Sequence, residues 1–193
     1  MGLRDILFGR KRLPKANIDH LFAIPGAGVT LETEHYLHPA GVAAVVFRPL
    51  SASQFEIAEE ELHDLLQAIG ADAGTEIERT TDEYGYVWLS MKDSQLEDLV
   101  GAVHVVATEL EAKGFGEQLL GATFAFKDDR RDELVQLIYG FKTGTFWPFV
   151  PTGEGQRRDN PEELRLKSTL EADLPIEPDL SRWLGLFGAP LDA

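Results

Sequence analysis

The chain contains no cysteine. Disulfides, thiol nucleophiles and thiolate metal sites are therefore excluded, and a reducing compartment is compatible with the composition. No apolar run approaches the roughly 18 residues that a membrane-crossing helix needs. No apolar stretch with a small-residue cleavage site follows the basic N-terminus, so a secretory leader is not expected. Catalytic signatures are missing as well. Lys142-Thr143-Gly144 matches one element of serine β-lactamases, but no serine has a lysine three residues later to serve as their nucleophile motif. There is no Gly-rich phosphate loop, no Gly-x-Ser-x-Gly and no His-Glu-x-x-His. Of five histidines, only His35 and His38 lie close in sequence. Placed on a strand and its following turn they diverge, so a metal pair is not expected. The run Asp128 to Asp132 lacks calcium-loop spacing and reads as a solvated turn. Arg157-Arg158-Asp159-Asn160 at a helix start reads as a local ion pair. No catalytic residue, cofactor site or metal site is assigned.

Positive charge is scarce outside one place. The net charge is −15, yet residues 1–15 carry Arg4, Arg10, Lys11, Arg12 and Lys15 against Asp5 alone. That leaves +4 at the tip and −19 on the remainder. An acidic body argues against nucleic-acid binding. In the tip, Leu3, Ile6 and Leu7 share one helical face, followed by the cations Arg10, Lys11 and Arg12. An amphipathic terminus of this kind either lies on an anionic lipid surface or docks on its own domain. The first alternative makes Leu3, Arg4, Ile6, Leu7, Arg10, Lys11 and Arg12 the membrane-contact candidates.

An apolar fraction of 44% over 193 residues suits one domain with a core. Asn17 to Phe22 reads as one helical turn closed by Pro25-Gly26. Alternation predicts strands at 29–35 and 42–48, joined by a turn at 38–41 into a hairpin. Ser53-Gln-Phe-Glu56 is a capping box that opens a helix to residue 69. Strands follow at 75–80 and 84–91. The second places Tyr84, Tyr86 and Trp88 on one face and Val87, Leu89 and Met91 on the other, so both faces are covered. Ser94-Gln-Leu-Glu97 opens a helix that Gly114 stops, and Gly101 with Ala102 allows close packing. A strand at 119–127 and a long strand at 134–149, interrupted near Gly144, precede a helix at 160–173 capped by Asn160. Pro175 and Pro178 mark an extended linker. Residues 181–187 read as a short aromatic helix.

The layout is hairpin plus helix, three times. It predicts an α+β fold in which an antiparallel-rich sheet carries helices on it, with a C-terminal helical tail. The expected divisions are a basic segment 1–15, an α+β core 16–151, and a C-terminal helix and aromatic tail 152–193 packed on that core.

The densest aromatic window is Phe141-Lys-Thr-Gly-Thr-Phe-Trp-Pro-Phe-Val-Pro151. Pro148 lacks a backbone donor, which places it at a strand end or a sheet edge. With Arg158 and Trp183, the residues Phe141, Lys142, Phe146, Trp147 and Phe149 are the candidate partner-binding set, because Trp, Phe and Arg anchor interfaces. The same rings equally suit a core in which Trp147 and Trp183 bury each other.

Met1-Gly-Leu-Arg-Asp-Ile-Leu-Phe-Gly-Arg-Lys-Arg-Leu-Pro14, the window Phe141–Pro151, Arg158-Asp-Asn160 and Leu174-Pro-Ile-Glu-Pro-Asp-Leu-Ser-Arg-Trp183, with Gly188-Ala-Pro190, resemble the PspA-associated protein PspAB family from end to end. Thr143 and Trp147 depart mildly from the pattern, which has a basic residue and Tyr there. The resemblance implies an accessory or regulatory protein of a phage-shock-type envelope-stress response. It implies binding to a PspA-like protein, a cytoplasmic location at or near the inner membrane face, and no known catalysis. A homodimer is compatible with it. The alternatives are a chaperone-like module holding an extended client along a sheet edge, and an enzyme with dispersed site residues.

Overall fold

The computed structural model describes residues 17–48, 75–130, 133–153 and 155–191. The expected helix at 53–69 and the basic segment 1–15, with its membrane-contact candidates, lie outside the described residues. Six strands form one sheet: β1 Leu37–Phe47, β2 Glu76–Thr81, β3 Val87–Lys92, β4 Leu119–Asp128, β5 Glu133–Gly140 and β6 Thr145–Phe149. Their order is β2-β3-β1-β4-β5-β6, and every neighbouring pair is antiparallel. Three helices, α1 Ile24–His35, α2 Leu96–Ala112 and α3 Asn160–Leu170, pack on it. The fold is α+β, as the sequence pattern predicts.

The strands alternate as a pleated sheet must. Ala43, Val45 and Phe47 of β1 join Val87, Leu89 and Met91 of β3, and Phe124 and Phe126 of β4, in the main core under the helices. Leu96, Leu99, Val100, Val103, Val106, Ala107 and Leu110 give α2 a continuous buried stripe. Val42, Ala44 and Val46 face the opposite side with Trp88 and Ala125. Ile138, Trp147, Phe149 and Trp183 form a third cluster. Tyr139 points into the main core, where its hydroxyl donates to the Asn17 carbonyl at 3.0 Å. Burial, with the charges of Glu111 and Asp19, pushes its pKa up to about 12.

Several expectations are corrected. Residues 29–35 are not a strand: a 3-10 turn at Ile18–Ala23 runs into α1. Pro25 does not close a helix but sits in its first turn, where a missing N–H costs nothing. The buried positions Ile24, Ala27, Gly28, Leu31 and His35 follow helical spacing. A Cβ on Gly28 would stand 2.7 Å from a Leu96 methyl, so the glycine sets the approach of α1 to α2. The predicted hairpin therefore does not form, and β1 pairs with β3 and β4 instead. Residues 38–41 lie inside β1 rather than in a turn, at a register shift between Pro39 and Ala43. Gly41 there has φ +74°, a bulge conformation that glycine adopts without penalty.

The second capping box is not made. Gln95 is the N-cap without a side-chain bond, and Asp93 Oδ1 accepts from the Gln95 amide at 2.9 Å instead. Gly101 meets nothing, since a Cβ there would find no atom within 4 Å. Asp128 is buried and paired with Arg130 at 2.9 Å, so this is not a wholly solvated turn. Residues 134–149 are two strands joined by a turn at 141–144, not one interrupted strand. The cap of α3 is Asp159 rather than Asn160, its side chain accepting from Glu162 N at 3.0 Å. α3 ends at Leu170 rather than near 173. The aromatic helix at 181–187 is absent. A 3-10 turn spans only Leu180–Arg182, and the chain beyond it is irregular.

Candidate functional site

The C-terminal segment is fastened to β6, the edge strand that carries Pro148. Phe146 N donates to Pro175 O at 2.9 Å and Glu177 N to Phe146 O at 2.8 Å, so residues 175–177 lie parallel beside the edge. This blunts an edge that would otherwise be open to pairing. Three side chains then tie down the rest. Trp147 Nε1 donates to Leu184 O at 2.9 Å, Trp183 Nε1 to Glu177 O at 2.9 Å, and Arg158 Nη1 to Trp183 O at 2.7 Å.

Arg158 is the hub of this clasp. Its Nε donates to Glu163 Oε1 and Oε2 at 2.8 and 2.9 Å, and its guanidinium lies 5.1 Å from the Phe149 ring centroid. Glu163 also accepts from Val150 N at 3.0 Å. The Arg158–Asp159–Asn160 motif thus combines a cap with an ion pair, and one arginine joins β6, α3 and the tail. Glu177 is buried too, accepting from Thr145 Oγ1 at 3.0 Å and from Asp179 N at 3.1 Å.

The partner-binding candidates are divided by this arrangement. Trp147, Phe149 and Trp183 form the clasp cluster with Ile138, and Arg158 lies over Phe149. Phe141 and Phe146 lie on the helix-covered side, with ring centroids 5.2 and 5.0 Å from Tyr139. All five aromatics are buried. Lys142 is exposed, its ammonium on the Glu117 carbonyl.

Beside the clasp, the second sheet face carries a trough of about 770 Å³. Its floor is a transverse row of directly opposed residues: Trp88, Val46, Gly121 and Gly140, contributed by β3, β1, β4 and β5. Two glycines side by side leave that row low. Tyr84 and Tyr86 from the β2–β3 turn, Lys142 and Thr143 from the β5–β6 turn, and Leu184 to Phe187 from the tail make the walls. On these walls Tyr84 and Leu184 are exposed by 70% and 67%.

Asp82 shapes one end. Its Oδ1 accepts from the Tyr84 and Tyr86 amides, each at 2.9 Å, and its Oδ2 from Trp88 Nε1 at 3.0 Å. Burial pushes the carboxyl up. The Trp88 indole and the amides of Tyr86, Tyr84 and Gly85 outweigh this and hold it below the usual carboxylate range. The carboxylate is thus a structural acceptor that sets Tyr84 and Tyr86 upright. Arg182, on the opposite rim, lies 3.4 Å from Asp179 and 3.9 Å from Glu177. The shape and lining suit docking of an apolar segment.

Trp88 was legible on its strand face, but Tyr84 and Tyr86, expected on the same strand, precede it in the β2–β3 turn, because β3 starts at Val87 rather than at residue 84. Asp82 and Leu184 carried no signal of their own, since their roles arise from chain segments about a hundred residues apart. Among the described residues no cluster of three or more potential ligands could hold a metal, and no helix is long and apolar enough to cross a membrane.

The family model for PspA associated protein B matches residues 1–191. No curated protein and no solved structure matches the chain.

Proposed function

Because the chain belongs to the PspA associated protein B family, we propose that it is a non-enzymatic accessory protein of a PspA-type membrane-stress response that acts by binding a PspA-like protein. The family name indicates association with PspA. The observation that carries the mode of action is the trough: an apolar slot with exposed Leu184 and Tyr84 on its walls and Lys142 on its rim, held open by a clasp within the same chain. The buried aromatics Phe141, Phe146, Trp147, Phe149 and Trp183 shape this surface from below, and Arg158 fixes it. Lys142, Leu184 and Tyr84 meet the partner. The basic segment 1–15 contacts anionic lipid at the inner membrane face through Leu3, Ile6 and Leu7 and its cations.

Capture of a PspA-like protein by the full chain tests this reading, with Leu184→Asp and Lys142→Glu as surface variants. Both should stay folded and lose most of the captured partner. Undiminished capture by both would refute the surface. Flotation with phosphatidylglycerol vesicles tests the second half, and the signal should vanish when Leu3, Ile6 and Leu7 are replaced by Asp.

A further inference from the structure

We infer that the outer edge of β2 is a second docking site, separate from the trough, which takes an extended segment of another polypeptide carrying Lys or Arg at every second position. The β6 edge of the sheet is covered by the chain's own residues 175–177. At the opposite edge, among the described residues, β2 pairs with β3 alone. It has no proline, no lysine and an unbroken register with β3. Proline, lysine and bulges, which commonly close an edge to pairing, are thus all missing from it.

The hairpin fixes which backbone groups face outward. Asp82 N donates to the Tyr86 carbonyl at 3.0 Å, and in the same register Thr80 stands opposite Trp88 and Glu78 opposite Ser90. Hydrogen-bonded pairs alternate along an antiparallel ladder, so Glu76, Glu78 and Thr80 bond to β3. The N–H and C=O groups of Ile77, Arg79 and Thr81 point the other way, toward an incoming strand. The side chains sort by face. Ile77 packs against the main core, whereas Glu76 and Glu78 stand exposed on the face of Trp88.

A strand added antiparallel bonds to Ile77, Arg79 and Thr81 and sets its intervening residues opposite Glu76, Glu78 and Thr80. Those are the closer, non-hydrogen-bonded pairs, with Cα atoms about 4.5 Å apart. Neither glutamate forms an ion pair among the described residues, so cations at those places complement both. A second copy of β2 does not fit. Symmetric pairing centred on Ile77 opposes Glu76 to Glu78. Centred on Glu78 or Arg79 it opposes that charge to its own copy, and centred on Thr80 it opposes Glu78 to Asp82. Like charges directly opposite destabilise a pair. A basic extended segment gains both the main-chain ladder and the charge match.

The probe is a short blocked peptide of alternating valine and lysine, added to the full chain and followed by fluorescence anisotropy. It should bind at least ten-fold more tightly than the valine–glutamate peptide. Glu78→Lys, at an exposed side chain, should weaken it at least five-fold. N-methylation separates strand pairing from charge attraction. Methyl groups on the valine nitrogens, which face β2, should abolish binding, and methyl groups on the lysine nitrogens, which face away, should leave it within about two-fold. Amide exchange should slow at Ile77, Arg79 and Thr81. Equal binding of the two methylated peptides, no preference for lysine over glutamate, or self-association of the chain through β2 with no peptide bound would each overturn the inference. The probe contains no PspA-like sequence, so the result is independent of what the trough receives.

Discussion

Replacing Arg158 with methionine attacks the clasp at its hub. Glu163 is 4% exposed and Arg158 22% exposed, so the carboxylate is closed to water and the pair is largely buried. With the arginine gone, the carboxylate keeps only the Val150 amide among its described partners. A buried charge stripped of its counter-ion costs about 3 kcal/mol, and the lost bond to the Trp183 carbonyl about 1 kcal/mol more. We predict a destabilisation of about 4 kcal/mol, which lowers the melting temperature by roughly 10 °C in a chain of this size. The double variant Arg158→Met, Glu163→Gln should recover about half of that loss. Glutamine still accepts from Val150 and leaves no charge to desolvate. Urea unfolding followed by tryptophan fluorescence measures both, and Trp147 and Trp183 report on the clasp directly. A single variant within 0.5 kcal/mol of the parent, or a double variant worse than the single, would refute the role given to the pair.

Other elements make independent predictions. His35 Nε2 lies 2.9 Å from Thr169 Oγ1, and burial, followed by the Arg165 charge, lowers its pKa. The folded state then resists protonation, so the stability it contributes is complete above about pH 6.5 and is lost as pH falls through the lowered folded value. His35→Gln should flatten that part of a melting-temperature profile, and an unchanged slope would contradict it. The Asp82 carboxyl is also lowered, so its contribution is present above the usual carboxylate range and fades as acid approaches the folded value. Asp82→Asn should weaken that acid limb and increase the mobility of Tyr84 and Tyr86, read by amide exchange. Gly140→Ala would place a methyl 2.8 Å from the Trp147 ring and 3.0 Å from Thr143 Oγ1. Overpacking of this kind costs about 1–3 kcal/mol and should shift tryptophan emission, whereas Gly101→Ala, with open space around it, should not destabilise.

The parts of the fold that could be read in the sequence are those whose burial follows large side chains at regular spacing. The stripe of α2, the two faces of β3 and the edge position of Pro148 all come from residues whose bulk declares their direction. Helix α1 was misread because its buried face includes Ala27 and Gly28, which carry no hydrophobic signal. Val29, Leu31 and Thr33 alternate by coincidence. The β5–β6 hairpin was read as one strand because both arms are apolar and only Lys142 to Gly144 break them. The aromatic tail resembled a helix by composition, but beyond the 3-10 turn at Leu180–Arg182 it is irregular, held by its bonds to Trp147 and Arg158. The clasp was half visible, as a weighing of Trp147 against Trp183. The trough was not visible at all. Its floor needs Val46, Gly121 and Gly140 in register, and register is a tertiary fact.

The central claim is that a PspA-like partner is received in the trough. Amide hydrogen exchange of the full chain, alone and with that partner, tests it most directly. The account predicts slowed exchange over Tyr84–Trp88 and Leu184–Phe187, with the exposed helix surface of α2 unchanged. Protection confined to α2 or to the outer edge of β2, with none at the trough, would contradict it.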